Sequence, residues 1–454
     1  MRNLVSKLLI VIVFGGAQAF AQTKQLPIEE FKLKNGLEVK MIRFGTIPAV
    51  QINCFINVGR KTENPGQQLM ASMTATGLKL GNENYTRINQ DNLISKLGSS
   101  IGSSSNDNFT SLGMLFLEKD TKTAMDLFSS VLLKPLFPAD EIKQEIEQTL
   151  NYNNPAKMDI GMLSSVFSEY VVYGTAHPLG RHFYATQLNK ITSAQLMEFY
   201  KFNYTPKNTQ LVVAGNFDFV KMKAEIERLF GSWTAAFGEN NGAAYEFESI
   251  GKKEYYLINK NKASQTSLQW NKKGPAGGSK DALLFQLANN AFNEILFDEI
   301  RAKEGKTYGI SSGLNEQDNN GIYSISTQVR NEVAYQTIVS FDRVLKQFYE
   351  TGINQAQLDK AKARLRNRRL AIESPAEVIA FYNPVLYKDI TKRNEYLTML
   401  DAITLDQVNK ILKKYFNPDA YKLVLAGDAM VLDEQLKVLP GLVKLSVQDI
   451  QKDN

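Results

Sequence analysis

The chain repeats itself. Residues Ile191 to Asn216 read ITSAQLMEFYKFNYTPKNTQLVVAGN and residues Ile403 to Asp428 read ITLDQVNKILKKYFNPDAYKLVLAGD, in register without a gap at an offset of 212 residues. Each copy follows the same local physics. Thr192 or Thr404 can cap an amphipathic helix, and Pro206 or Pro418 breaks the chain beyond it. A short apolar strand, Leu211-Val212-Val213 or Leu423-Val424-Leu425, then ends at Gly215 or Gly427. Self-similarity of this kind implies a tandem duplication, and 454 residues exceed what one hydrophobic core usually organises.

The pattern between the repeats mixes strands and helices. Residues 36–42 and 49–58 alternate like two antiparallel strands joined by a turn. Helices are expected over 67–78, 92–97, 122–132, 140–150, 163–171 and 219–229, and in the second half over 280–301. Further strands are expected at 255–258, 265–270 and 321–329. Strand and helix do not alternate regularly, and the glycines never form the strand-linked dinucleotide spacing. The expected fold is therefore α+β: two homologous domains, each a mainly antiparallel sheet with helices packed on one face. The boundaries read as domains over 22–235 and 249–454, joined by the polar linker 236–248.

Residues 1–21 read as a signal peptide. Arg2 and Lys7 precede the apolar run from Leu8 to Phe14, and Ala19-Phe20-Ala21 places small residues at the cleavage positions. The run is too short to cross a bilayer, so the expected mature protein is soluble, exported and periplasmic. The net charge of +6, or +4 without Arg2 and Lys7, gives no footing for nucleic-acid or membrane partners. The basic run Lys360, Lys362, Arg364, Arg366, Arg368 and Arg369 reads as a solvated helix face. One cysteine, Cys54, rules out a disulfide scaffold or a cysteine-held zinc, and its alternating strand predicts a buried thiol. The two histidines, His177 and His182, share one turn and read as structural.

Two stretches carry a resemblance: His177-Pro178-Leu179-Gly180-Arg181 followed by the 191–216 block, and Glu299-Ile300-Arg301-Ala302-Lys303-Glu304-Gly305-Lys306-Thr307-Tyr308. They resemble the M16 zinc metallopeptidases, the family of pitrilysin, insulinase and the mitochondrial processing peptidase. The resemblance covers nearly all of the mature chain. It implies two α+β domains facing a second such pair across a cleft. Active members carry His-x-x-Glu-His, in which two histidines hold zinc and the glutamate polarises water. Here the matching positions are Leu69, Ser72 and Met73, and none can do that chemistry. Glu147 best matches the third, carboxylate ligand. One carboxylate does not retain zinc, so no metal or other cofactor is expected in this chain.

The resemblance also implies that Arg301 and Tyr308 match an arginine and a tyrosine that grip substrate beside the scissile carbonyl. With the zinc apparatus erased and this pair kept, the chain reads as the non-catalytic subunit of an M16 peptidase. It would supply Arg301 and Tyr308 to a related chain that carries zinc and hydrolyses peptide or unfolded polypeptide. No activity is expected alone, although a homodimer could bind extended peptide. The alternative is a peptide-binding or scaffold protein with no role in catalysis. The edge strand that binds substrate in the family corresponds to residues 97–110, placing Ser103, Ser104, Ser105 and Asn106 on the substrate path.

Overall fold

The computed structural model describes residues 25–154, 157–181, 188–234, 250–315, 321–383, 385 and 390–451. The signal segment, the linker 236–248 and His182 lie outside the described residues.

Two six-stranded mixed sheets form the molecule. The first contains β1 (Ile28–Lys32), β2 (Glu38–Arg43), β3 (Ala49–Ile56), β4 (Ser100–Ser105), β5 (Thr110–Leu117) and β6 (Thr209–Gly215), in the order β1-β2-β6-β3-β5-β4. The second contains β7 (Lys253–Asn259), β8 (Gln265–Gly274), β9 (Thr307–Asn315), β10 (Gly321–Arg330), β11 (Tyr421–Gly427) and β12 (Val443–Leu445), in the order β12-β7-β11-β8-β10-β9. The helices of the first half are α1 (Met70–Gly77), α2 (Arg87–Lys96), α3 (Thr121–Leu133), α4 (Ala139–Tyr152), α5 (Ile160–Tyr173), α6 (Ser193–Asn203) and α7 (Phe219–Phe230). Those of the second are α8 (Lys280–Leu296), α9 (Ala334–Thr351), α10 (Gln355–Leu370), α11 (Pro375–Phe381), α12 (Tyr396–Ala402), α13 (Leu405–Tyr415), α14 (Ala429–Leu436) and α15 (Val447–Gln451).

The duplication is visible residue by residue. Thr192 accepts from the Gln195 amide at the start of α6, and Thr404 accepts from the Gln407 amide at the start of α13. Both are capping boxes, closed by the glutamine reaching back to the threonine backbone. β6 and β11 are each parallel to one neighbour and antiparallel to the other. The expected turn pairing of the strands over 36–42 and 49–58 does not form, because β6 is inserted between β2 and β3. The run from Leu211 to Ala214 is fully buried and needs cover on both faces, which only a central position supplies.

Residues of alternate parity enter different cores. Val39, Met41, Leu211 and Val213 join α3, α6 and α7 in one cluster, with Cys54 buried among them. Ile42, Val212 and Ala214 face the other way, against Val378, Ile379 and Tyr382 in and just after α11. The second sheet mirrors this. Leu423 and Leu425 face the helices of their own half, while Val424 and Ala426 face Leu163, Phe167 and Val171 of α5. So the helices of each half cover one face of its sheet, and the opposite face is covered by a helix from the other half.

Candidate functional site

At the metal-motif positions, the helix begins later than the sequence suggests. Gly66 has φ +83° and Leu69 has φ +71°, so α1 starts only at Met70. Its free amides are capped from outside the helix: the buried Glu63 carboxylate accepts from Leu69 N at 3.1 Å and from Ala71 N at 2.9 Å. Burial drives Glu63 up to about 8, against the pull of those two amides and of Arg60 and Arg181. The His177–Arg181 turn holds this cap in place. Arg181 donates to the carbonyls of Thr175 and Ala176 at 3.0 and 2.6 Å and to that of Glu63 at 3.4 Å. His177 stacks on Tyr173 with centroids 4.5 Å apart, and its Nδ1 accepts from Leu179 N at 3.1 Å. Burial lowers His177 to about 4, so its ring is neutral.

Leu69 is half-buried, Ser72 is exposed and Met73 is buried. The Met73 sulfur meets the Thr149 hydroxyl of α4 at 3.9 Å. Glu147 is exposed elsewhere on that helix, so the residue opposite Met73 is Thr149, not a carboxylate. Among the described residues no three His, Cys, Asp or Glu side chains cluster as metal ligands do. A thioether, a hydroxyl and a leucine do not fit zinc.

Within the segment 97–110, only Ser100–Ser105 form the edge strand. β4 ends the first sheet, and α1 packs beside it. Ser104 lies opposite Ser111, with their hydroxyls 3.5 Å apart, while the Ser103 and Ser105 hydroxyls are buried without a hydrogen-bond partner among the described residues. Asn106 has a different job. Its Oδ1 accepts from Asn108 N and Phe109 N at 2.8 and 2.9 Å, closing the β4–β5 turn.

Arg301 and Tyr308 stand on the second half. α8 stops at Leu296 and the chain continues as a wider π-helical segment, Phe297–Lys303, a feature that recurs at functional sites. The exposed Arg301 guanidinium lies 4.5 Å from the Phe297 ring centroid and has no ion pair among the described residues. Gly305, at φ +63°, turns the chain, its amide donating to the Arg301 carbonyl at 3.1 Å. Arg343 ties the turn down by pairing with Glu299 at 3.2 Å and Glu304 at 2.8 Å, and Lys306 pairs with Glu304 at 2.7 Å. The strand that follows is bulged. Thr307 pairs with Val329 and Ile310 with Thr327, so Tyr308 and Gly309 share one partner, Gln328. The Thr307 and Thr327 hydroxyls fix the bulge by donating to the Gly309 carbonyl at 2.9 and 2.8 Å. Tyr308 is left 88% exposed. With Phe297, Ser164, Ser165 and Gln269 it lines a cleft of about 720 Å³ between α5 and the second sheet. Phe297, Arg343 and the bulge shape this candidate site without having been singled out in the sequence; Gly309, a glycine inside a strand, is the sequence signal for the bulge.

Fold and site together define a two-domain peptidase-like chain without the zinc-binding residues. Residues 45–167 match the model for Insulinase (Peptidase family M16), and residues 190–365 match that for Peptidase M16 inactive domain. The chain belongs to the M16 peptidase family. It is 22% identical over 380 residues to an uncharacterized zinc protease of Rickettsia bellii, covering 81% of this chain and 88% of that one. A Rickettsia felis protein of the same description is 22% identical over 379 residues, with the same coverages. Three solved structures share the fold. An M16 inactive domain from Pseudomonas fluorescens superimposes with a TM-score of 0.79 at 22% identity, covering 89% of this chain and 98% of that one. A Helicobacter pylori protease gives 0.78 at 17% identity, covering 89% and 100%. The Escherichia coli periplasmic protease PqqL gives 0.78 at 14% identity; it covers 93% of this chain, which spans 49% of PqqL.

Proposed function

We propose that this chain is the zinc-less subunit of a two-chain M16 peptidase, exported after loss of residues 1–21, and that it lends Arg301 and Tyr308 to a zinc-bearing partner. The observation that carries this reading is the state of those two side chains. Neither is used by the fold: Tyr308 is almost fully exposed, and Arg301 has no ion pair among the described residues and rests on a half-open phenylalanine. Yet a bulge, a left-handed turn and an ion-pair network of Glu299, Lys303, Glu304, Lys306 and Arg343 hold the backbone that presents them. A guanidinium and a phenol placed this way suit an extended peptide carbonyl: arginine neutralises negative charge, and the tyrosine hydroxyl donates to the tetrahedral oxygen. Leu69 and Met73 make the complementary zinc apparatus a matter for the other chain.

The test is peptide hydrolysis by the reconstituted pair. Arg301→Ala and Tyr308→Phe should each leave assembly unchanged by light scattering and lower kcat/KM by about 100-fold, the scale of a lost oxyanion donor. Equal rates for the wild-type and both variant complexes would sink this reading in favour of a peptide-binding or scaffold role.

A further inference from the structure

The basic run of α10 divides into two groups. Lys360 and Arg364 both pair with Glu294, Arg366 pairs with Asp401, and Lys362 donates to the carbonyls of Asp401 and Ile403. These four charges knit α10 to its neighbours. The last two, Arg368 and Arg369, turn instead into a cleft of about 1130 Å³ between the start of α8, the end of α10, α11 and α12. Lys280, Lys392 and Arg393 line the same cleft, so five cations surround it. The one carboxylate lining it among the described residues, Glu377, is committed to its own helix start, accepting from the amides of Glu373 and Ser374 at 2.9 and 3.0 Å. Arg368 has no ion pair among the described residues. Positive charge that Arg368 leaves unpaired among the described residues, beside Arg369 at the wall of a concave cleft, is relieved by an anion.

The rest of the wall specifies the body of that anion. Leu283, Leu284, Leu365, Ile372 and Met399 give it an aliphatic surface. Both aromatic rings lining the cleft among the described residues are already occupied: the guanidiniums of Arg369 and Arg393 lie 4.4 and 4.1 Å from the Phe381 centroid, and that of Arg393 lies 4.9 Å from the Tyr396 centroid. A planar base or sugar finds little open π-surface here, whereas a flexible chain can follow the aliphatic wall. The volume exceeds that of an ordinary small-molecule pocket.

We infer that this cleft binds a long-chain carboxylate, its head group against Arg368 and Arg369 and its acyl chain along Leu283, Leu365 and Met399. The site is separate from Arg301 and Tyr308 and does not depend on the peptidase reading. It abuts the junction of the two halves, because Phe381 packs against both the core of its own half and the cluster on the first sheet. A bound acid would therefore brace that junction and raise the melting temperature.

The experiment titrates the intact mature chain with cis-parinaric acid, a fluorescent C18 polyene acid, and with its methyl ester. The expected result is saturable binding of the acid at one per chain and at least tenfold weaker binding of the ester. Arg368→Gln should weaken the acid about tenfold, since hydrogen bonds to a charged group are lost, and Arg368→Lys should recover part of it. Arg368 is exposed, so these variants fold; Ala380→Trp, also at an exposed lining position, should block the cleft sterically and abolish binding. Equal affinity for acid and ester, binding indifferent to all three substitutions, or no binding at all overturns the assignment.

Discussion

Met73 is the residue that turned a metal-motif helix into a packed one. It is buried beside the Thr149 hydroxyl, where a thioether fits without needing a charge partner. Reverting Leu69 and Met73 to histidine and Ser72 to glutamate should therefore lower stability by about 2–5 kcal/mol in chelator, because two imidazoles lose good packing and gain no third ligand. An unchanged denaturation midpoint would contradict this account. The same substitution should not confer tight zinc, since Thr149 rather than a carboxylate faces the site; metal analysis after desalting checks it. A second residue governs the response to acid. His177 is neutral in the fold, with its value lowered to about 4 by burial first and then by Lys61, Arg181 and Arg60. The unfolded chain binds a proton near 6.5 and the folded chain resists it until about 4, so stability is complete above the unfolded value and is lost as pH falls between the two. Protonation must also break the Leu179 N–H bond to Nδ1. We expect His177 to contribute a loss on the order of 2–3 kcal/mol between pH 7 and pH 4, read as the change in the difference between wild-type and His177→Asn urea midpoints, because the raised Glu63 acts in the opposite sense over the same range.

The element that presents Arg301 and Tyr308 shows how local rules are combined into a site. A helix from Lys280 was expected to run to Arg301, and it does run on, but its last seven residues widen into the π segment that seats Arg301 over Phe297. Gly305 then requires a left-handed backbone, so Gly305→Ala should cost about 1 kcal/mol and Gly305→Asn less, measured by chemical denaturation. The altered turn should also reduce turnover of the reconstituted pair, since Tyr308 follows it by three residues. Sequence carried the caps, the repeat and the identity of the candidate pair, because those depend on residues close together. It could not carry the β6 insertion between β2 and β3, because strand alternation says which face is buried and nothing about the neighbour. Nor could it show Arg343 reaching back to Glu299 and Glu304, contacts 44 and 39 residues apart. Glu147 illustrates the same limit. Two positions along α4 separate the exposed Glu147 from Thr149, and only packing against α1 singles out Thr149.

At the scale of the molecule, the exchange of α5 and α11 makes the two halves interdependent. Phe167 is fully buried, and it packs not in its own half but with Val424 and Ala426 of β11. Polar contacts fix the same seam: Ser164 and Ser267 hydroxyls lie 2.8 Å apart, Asn271 donates to Ser168 at 2.9 Å, and the Lys422 ammonium donates to the Val171 carbonyl at 2.6 Å. On the other side, the Leu26 amide and carbonyl are each held by Asn394 at 3.3 Å. A sheet stripped of its exchanged helix would expose an apolar face and leave these buried polar groups unpaired, so neither half has a complete core of its own. The whole chain should accordingly unfold in one transition, with fluorescence and circular dichroism coinciding. Phe167→Ala should lower that single transition by about 3–5 kcal/mol, the cost of a large-to-small change in a packed core. The two halves cut at the 236–248 segment should be insoluble or partly folded when made separately, and should recover native circular dichroism when refolded together. Independent folding of either half, or a Phe167→Ala chain in which only the first half loses stability, would show that the exchanged helices decorate the sheets rather than complete them.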